Sequence, residues 1–260
     1  MLLLLLASFV FLPYYIFGIS LSLSFWRMNW PLFLVWSILF LAFIIFYFIN
    51  RTLFLLLEKE DWPALVRYLE GRVIQKGRYS SRLVRLLANS YLVLSDTEAV
   101  FKLENKVGIV KPALLDGSAL VFGPARILGR DISGAVRFFE QHKDTVKSGL
   151  KEWVGWYYGF ALLLDRQIEK AVLEFSLLAR FSGDVVITAI SSYFLSENLS
   201  FALPEKEEEL REISQEGRET VLKILPKIET WKREVLRLST DIHIAIISNY
   251  MEETSNWLYS

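Results

Sequence analysis

The sequence contains no cysteine and only two histidines, His142 and His243. Disulfides and thiolate metal sites are therefore excluded, and neither histidine has a second one at i+3 or i+4 with which to form a metal-binding pair on a helix. The missing thiols leave the compartment open, since a chain without them is safe in reducing and oxidising surroundings alike. Glycine is present but does not gather into a phosphate-cradling loop: Gly117, Gly123 and Gly129 are too widely spaced. Basic excess is missing as well. Residues 1–50 carry only Arg27, residues 51–204 carry 20 basic against 17 acidic side chains, and residues 205–260 carry 8 against 12. No segment has the charge of a nucleic-acid binder. Carboxylates mostly stand near lysine or arginine, the pattern of a solvated face. No catalytic constellation is visible, and the sequence predicts no enzyme, no cofactor and no metal site.

What is abundant is apolar. The chain is 53% hydrophobic and 15% aromatic, rich for a soluble protein, so part of it is expected to meet lipid. Residues 2–25 have no charged side chain, and neither do residues 28–50. Each stretch reaches the roughly 20 residues that cross a hydrocarbon core of about 30 Å. The reading is a transmembrane helical hairpin over 1–50, with Trp26, Arg27, Asn29, Trp30 and Pro31 as its corner and the two tryptophans at the interface. Pro13 is a candidate kink. A cleaved signal peptide competes for the first stretch, because Ser22 and Ser24 are small residues before Phe25. The missing basic n-region and the length of the apolar run argue against it. Arg51, Lys59, Arg67 and Arg72 outnumber Arg27 across the second span, which favours a bacterial inner-membrane protein with a cytoplasmic soluble part. A periplasmic soluble part is the alternative. The second span also runs without a break into residues 51–57, so one continuous helix is expected there.

Beyond the spans the sequence repeats. Gly123, Ala135 and Phe139 return as Gly159, Ala171 and Phe175, each 36 residues later, and Arg130, Ile132 and Val136 return as Arg166, Ile168 and Val172. The alanines extend backwards to Ala99, followed by Leu103, and to Ala64, followed by Tyr68, in steps of 35, 36 and 36. A period of this size marks helical repeats. Alanine or glycine lets two helix axes approach closely, and the ring one turn later fills the space beside them. About four hairpin units are expected over 51–200, with turns at Glu58–Asp61, Ser95–Asp96, Gly129–Asp131 and Asp165–Gln167. Residues 185–195 read as a helix that caps the open end of the stack. An irregular helical bundle with a chance period is the competing reading.

These residues resemble the tetratricopeptide repeat (TPR), whose unit of about 34 residues also carries a small residue in its first helix, alanine in its second and an aromatic one turn on. The likeness covers residues 45–184, and the units here are one or two residues longer, so the expected fold class is an all-α, TPR-like α-hairpin solenoid. The resemblance implies a groove lined by the first helices of successive units. Its inward places would be Val84, Ala88 and Tyr91, then Leu120 and Ile127, then Trp153, Trp156 and Phe160. Such a groove is apolar and suits a helix or peptide segment of another protein. The competing expectation is that the chain's own C-terminal helices already cover these rings.

Residues 201–260 read as C-terminal amphipathic helices. Ile228, Trp231, Val235, Leu238, Ile242 and Ala245 step by threes and fours, a short heptad seam. It is expected either to fold back on the repeats or to join a second chain in self-association. The partners expected are thus other proteins and the lipid bilayer, and no nucleic acid. Two functions follow as expectations: a non-enzymatic, membrane-anchored protein–protein interaction scaffold, or a structural subunit of a bacterial envelope machine. Membrane-anchored repeat proteins of this plan resemble, in architecture, components of the periplasmic collar around spirochaete flagellar motors.

Overall fold

The computed structural model describes residues 30–260 together with 11, 14–16, 18, 27 and 28. Most of the first expected span, residues 2–25, and Trp26 and Asn29 of the tryptophan corner lie outside the described residues. The fold is all-α, with no strand among the described residues. The chain divides into two compact units, Met1–Asp61 and Trp62–Ser260.

The first unit is dominated by α1 (Trp30–Glu58), 29 residues without a break. Its side chains before Arg51 are uncharged and almost all exposed, so the helix is apolar all round and leaves that surface uncovered. At 1.5 Å per residue it is about 43 Å long, longer than a bilayer core. Length and composition fit a membrane anchor, and they fit a signal sequence equally. Only one such N-terminal helix falls among the described residues. A second stretch, Val185–Ala202, passes the same test but is two-thirds buried inside the protein, the signature of a core helix.

The second unit begins with α2 (Trp62–Glu70), prolonged by a π-helical turn over Gly71–Gln75, and continues with α3 (Ser81–Val93) and α4 (Thr97–Val110). A single turn, α5 (Ala113–Asp116), leads to α6 (Ala119–Leu128), α7 (Ile132–His142), α8 (Ser148–Leu164) and α9 (Ile168–Phe181). Each long helix packs on its predecessor: α3 on α2, α4 on α3, α6 on α4, and so on through α9. The first expected repeat is therefore divided. Its first helix is the end of α1, and its second, α2, belongs to the second unit.

The period is written in the turns. Glu60, Ser95, Arg130 and Arg166, 35, 35 and 36 residues apart, all lie in the left-handed region with φ between 51° and 62°. After each, the next amide reaches back five residues: Asp61 N to Leu56 O at 3.2 Å, Asp96 to Tyr91, Asp131 to Arg126 and Gln167 to Leu162 at 2.9 Å. This is the Schellman ending of a helix. The same aspartates then open the following helix, since Asp96 Oδ1 accepts from Ala99 N (3.0 Å) and Asp131 Oδ1 from Gly134 N (3.1 Å). One residue closes a helix and caps the next, so the turn needs no slack.

Inside the hairpins the small residues meet the rings. A Cβ on Gly123 would overlap the Phe139 ring, and one on Gly159 would touch Phe175 at 3.2 Å. Ala135, Ala171, Phe139 and Phe175 are fully buried, whereas Ala99 and Ala64 are half-buried. The packing signature is thus tightest in the two units where glycine occurs. Helix α10 (Val185–Phe194) was expected to close the stack, but α11 (Glu207–Ile224) and a later helix both pack on it. It is buried almost all round, Thr188, Ser191 and Ser192 included, and a helix without an exposed face has to be covered in its turn.

Candidate functional site

The residues expected to line an open groove are brought together and then covered. Trp153, Trp156 and Phe160 on α8 are between 0% and 6% exposed. Trp156 stacks on Phe160 at 5.3 Å and meets Phe194 of α10 edge-on at 5.5 Å. The cover is the chain's own carboxyl end, formed by α12 (Ile228–Leu238), α13 (Ile242–Ile246) and α14 (Ser248–Tyr259). Tyr157 donates its hydroxyl to the His243 carbonyl at 2.6 Å, and Trp153 meets the His243 ring at 5.2 Å. Tyr250 of α14 lies against Phe160 at 5.5 Å and Phe194 at 5.0 Å. Arg218 of α11 holds the end of the cover by donating to the Leu258 carbonyl at 2.9 Å. Burial pushes the Tyr157 hydroxyl well above its ordinary pKa, and it holds His243 down at about 4 against the opposing pull of Asp241. A lone histidine in the sequence is here a neutral core ring.

The other expected groove residues part company. Val84 and Tyr91 are buried in the packing of α3, where the Tyr91 hydroxyl donates to Glu70 Oε1 at 2.6 Å. Burial and that carboxylate raise the Tyr91 pKa. Ala88 is buried with them, Ile127 is half-buried, and Leu120 is turned into a separate cavity. The heptad seam is likewise used within the chain: Trp231 is 1% exposed, Ile228, Val235, Leu238 and Ile242 are half-buried, and α12 packs on α14.

Two surface features were not singled out by the sequence. Leu173, Leu177 and Phe181 on α9, 61%, 46% and 76% exposed, form a stripe at i, i+4 and i+8. It borders a crevice of about 290 Å³ rimmed by Lys143, Lys151, Glu152 and Glu174. Lys143 pairs with Glu174 at 2.7 Å across α7 and α9, and its ammonium lies over the Tyr158 ring at 4.4 Å. The second feature is the cavity that receives Leu120, which also gathers Arg82, Arg85 and Asn89. Elsewhere Arg126 bridges Glu104 (2.8 Å) and Asp131 (2.5 Å) between α4 and α6, a structural clasp whose buried Glu104 carboxyl is raised in pKa by desolvation despite the guanidinium. Among the described residues no group of three or more histidine, cysteine, aspartate or glutamate side chains is placed to hold a metal ion.

Fold and surface define a class, an all-helical protein of serially packed helices with, among the described residues, one apolar N-terminal helix. Within that class the chain belongs to the family described as "Uncharacterised Treponema protein", which it matches over residues 99–260. That span runs from the second turn-to-helix junction to the last residue of the cover. An "Uncharacterized protein" of Treponema pallidum (strain Nichols) is 33% identical over 174 residues, covering 67% of this chain and 54% of the relative. The chain thus spans about half the length of that relative.

Proposed function

We propose that the protein is a non-enzymatic, membrane-anchored scaffold that holds other proteins at a bacterial inner membrane through a TPR-like hairpin array. Partners dock on its outer helices and leave the groove face closed. The carrying observation is the stripe of Leu173, Leu177 and Phe181, three large apolar side chains left in water beside a crevice with a mixed-charge rim. An amphipathic helix of a partner fits such a surface by placing apolar anchors on the stripe and charges at the rim. Helix α1 supplies the anchor. A photo-crosslinking side chain at Leu177 in the full chain, expressed in its native membrane, is expected to give a discrete adduct that Phe181→Asp abolishes. The same probe at Trp156 is expected to react only within the chain. Failure of Leu177 to crosslink above an exposed polar position such as Lys170 would sink the reading.

The sealed groove also favours the structural alternative, a subunit fixed in an envelope machine such as a flagellar motor collar, because a face filled in cis suits permanent packing better than cycles of capture. That reading requires a periplasmic soluble part. Reporters active on one side of the membrane, fused after Ser260, separate the two: a cytoplasmic end eliminates the collar and a periplasmic end eliminates the cytosolic scaffold.

A further inference from the structure

We propose that α3, the start of α6 and α13 together form a binding pocket for a small anionic ligand bearing a carboxylate or phosphate group. The cavity measures about 340 Å³ and is lined by Arg82, Arg85, Asn89, Ser118, Leu120 and Asp241 among others. That is within the roughly 300–1,000 Å³ typical of small-molecule sites. Arg82, Arg85 and Asn89 stand at i, i+3 and i+7 of α3 and so present one face. Neither guanidinium has an ion-pair or hydrogen-bond partner among the described residues. Nor do they serve their own helix. The first turn of α3 has no acidic residue and carries Arg82 instead, where the helix dipole disfavours a cation.

A second and independent observation comes from the buried polar atoms. Ser118 is 1% exposed and its hydroxyl has no partner, although it occupies the N-cap of α6, where serine ordinarily spends that hydroxyl on its own helix. The Asn89 side-chain oxygen is also buried without a partner. Because the two ends of an amide exchange by a flip, Asn89 is able to offer either a donor or an acceptor. Two arginines, a serine and an asparagine line one cavity: the guanidinium groups match an oxyanion, which accepts from both at once, and the buried Ser118 hydroxyl and Asn89 amide oxygen behind the wall have hydrogen bonds still to make. Asp241 is the one carboxylate on the wall, and it selects for a ligand that also carries a donor. Asp241, Ile242 and His243 belong to the C-terminal cover, so the pocket is complete only when the cover is in place.

The test is isothermal titration calorimetry of the full chain in detergent micelles against inorganic phosphate, glycerol 3-phosphate, succinate and L-glutamate, each to about 10 mM. Saturable one-site binding of a phosphate or a carboxylate is expected, the two arms identifying which group the site takes. Arg82→Ala and Arg85→Ala are each expected to weaken it about ten-fold or more, with the circular dichroism spectrum unchanged, since both side chains are exposed. Arg137→Ala, an exposed arginine outside the cavity, is the control and leaves affinity unchanged. The proposal fails if none of the four compounds binds saturably, or if Arg137→Ala weakens binding as much as the pocket variants do.

Discussion

Gly123 and Gly159 occupy equivalent places 36 residues apart, yet alanine is expected to be costly at the first and neutral at the second. In both helices the exchange removes glycine's entropic penalty, a gain of about 1 kcal/mol. At Gly123 the new Cβ would lie inside the Phe139 ring. That ring cannot swing aside: it is fully buried, stacked on Tyr157 at 5.8 Å and held edge-on by Phe138 at 5.8 Å. Overpacking of this kind costs about 3 kcal/mol at the upper end of its usual range, leaving a net loss near 2 kcal/mol. For a unit of this size the melting temperature falls by about 4–8 °C. At Gly159 the contact with Phe175 is 3.2 Å, which a shift of a few tenths of an ångström relieves, so Gly159→Ala is expected to be neutral within about 0.5 kcal/mol. Gly149, with nothing within 4 Å of its added Cβ, calibrates the gain alone and is expected to stabilise by about 0.5–1 kcal/mol. Thermal melts of the full chain followed by circular dichroism give the ranking. Equal effects at Gly123 and Gly159 would refute the claim that ring contact, and not the repeat position itself, sets the cost.

Four further outcomes are expected. Trp156→Ala should lower stability by about 3–5 kcal/mol, because the ring is buried against four others; a variant that melts like the parent would show the groove to be open in solution. Lowering the pH should weaken the fold through His243. Its folded pKa, about 4, lies below the unfolded value of about 6.5, so the stability held by the neutral ring is complete above pH 6.5 and drains away by roughly 3 kcal/mol as the pH falls to 4; in pH-dependent denaturant titrations His243→Gln should flatten that slope. Arg166→Gly, which removes a side chain from a left-handed turn, should stabilise by about 1 kcal/mol in the same melts, and a loss would show that the turn is held by the arginine. Deleting residues 241–260 removes four buried aliphatic side chains, Ile244, Ile247, Met251 and Leu258, and should destabilise by on the order of 6 kcal/mol while creating binding sites for a hydrophobic dye.

The repeat was legible because one local rule recurs: a small residue faces a ring, and a left-handed turn ends the first helix of each pair. Gly123 with Phe139 and Gly159 with Phe175 announce the packing directly. The identity of what covers the groove was not legible. Trp153, Trp156 and Phe160 need an apolar neighbour, and a side chain carries no mark of whether that neighbour belongs to its own chain or to another. Only the seam through Trp231 hinted at the answer. Helix α10 was misplaced at the end of the stack for a related reason, since a run of Val, Ile and Ala demands burial without saying on how many sides. The arginine pocket was hidden by distance. Arg85, Ser118 and Asp241 come from three elements spread over more than 150 residues of sequence, and each looks ordinary beside its neighbours.

The position of the cover at the carboxyl end has a consequence for the life of the protein before it is complete. Synthesis runs in the amino-to-carboxyl direction, so the surface of Trp153, Tyr157 and Phe160 leaves the ribosome well before Ile244 and Tyr250 exist to close it. For that interval the nascent chain displays its most aromatic face to its surroundings. Closure then follows the folding of the helices it covers, and it ties α13 and α14 to α6, α8 and α10. A stop codon or a proteolytic cut within residues 241–260 would therefore act on the middle of the array, far from the lesion in sequence, and would leave that aromatic surface as it stands before the cover is made.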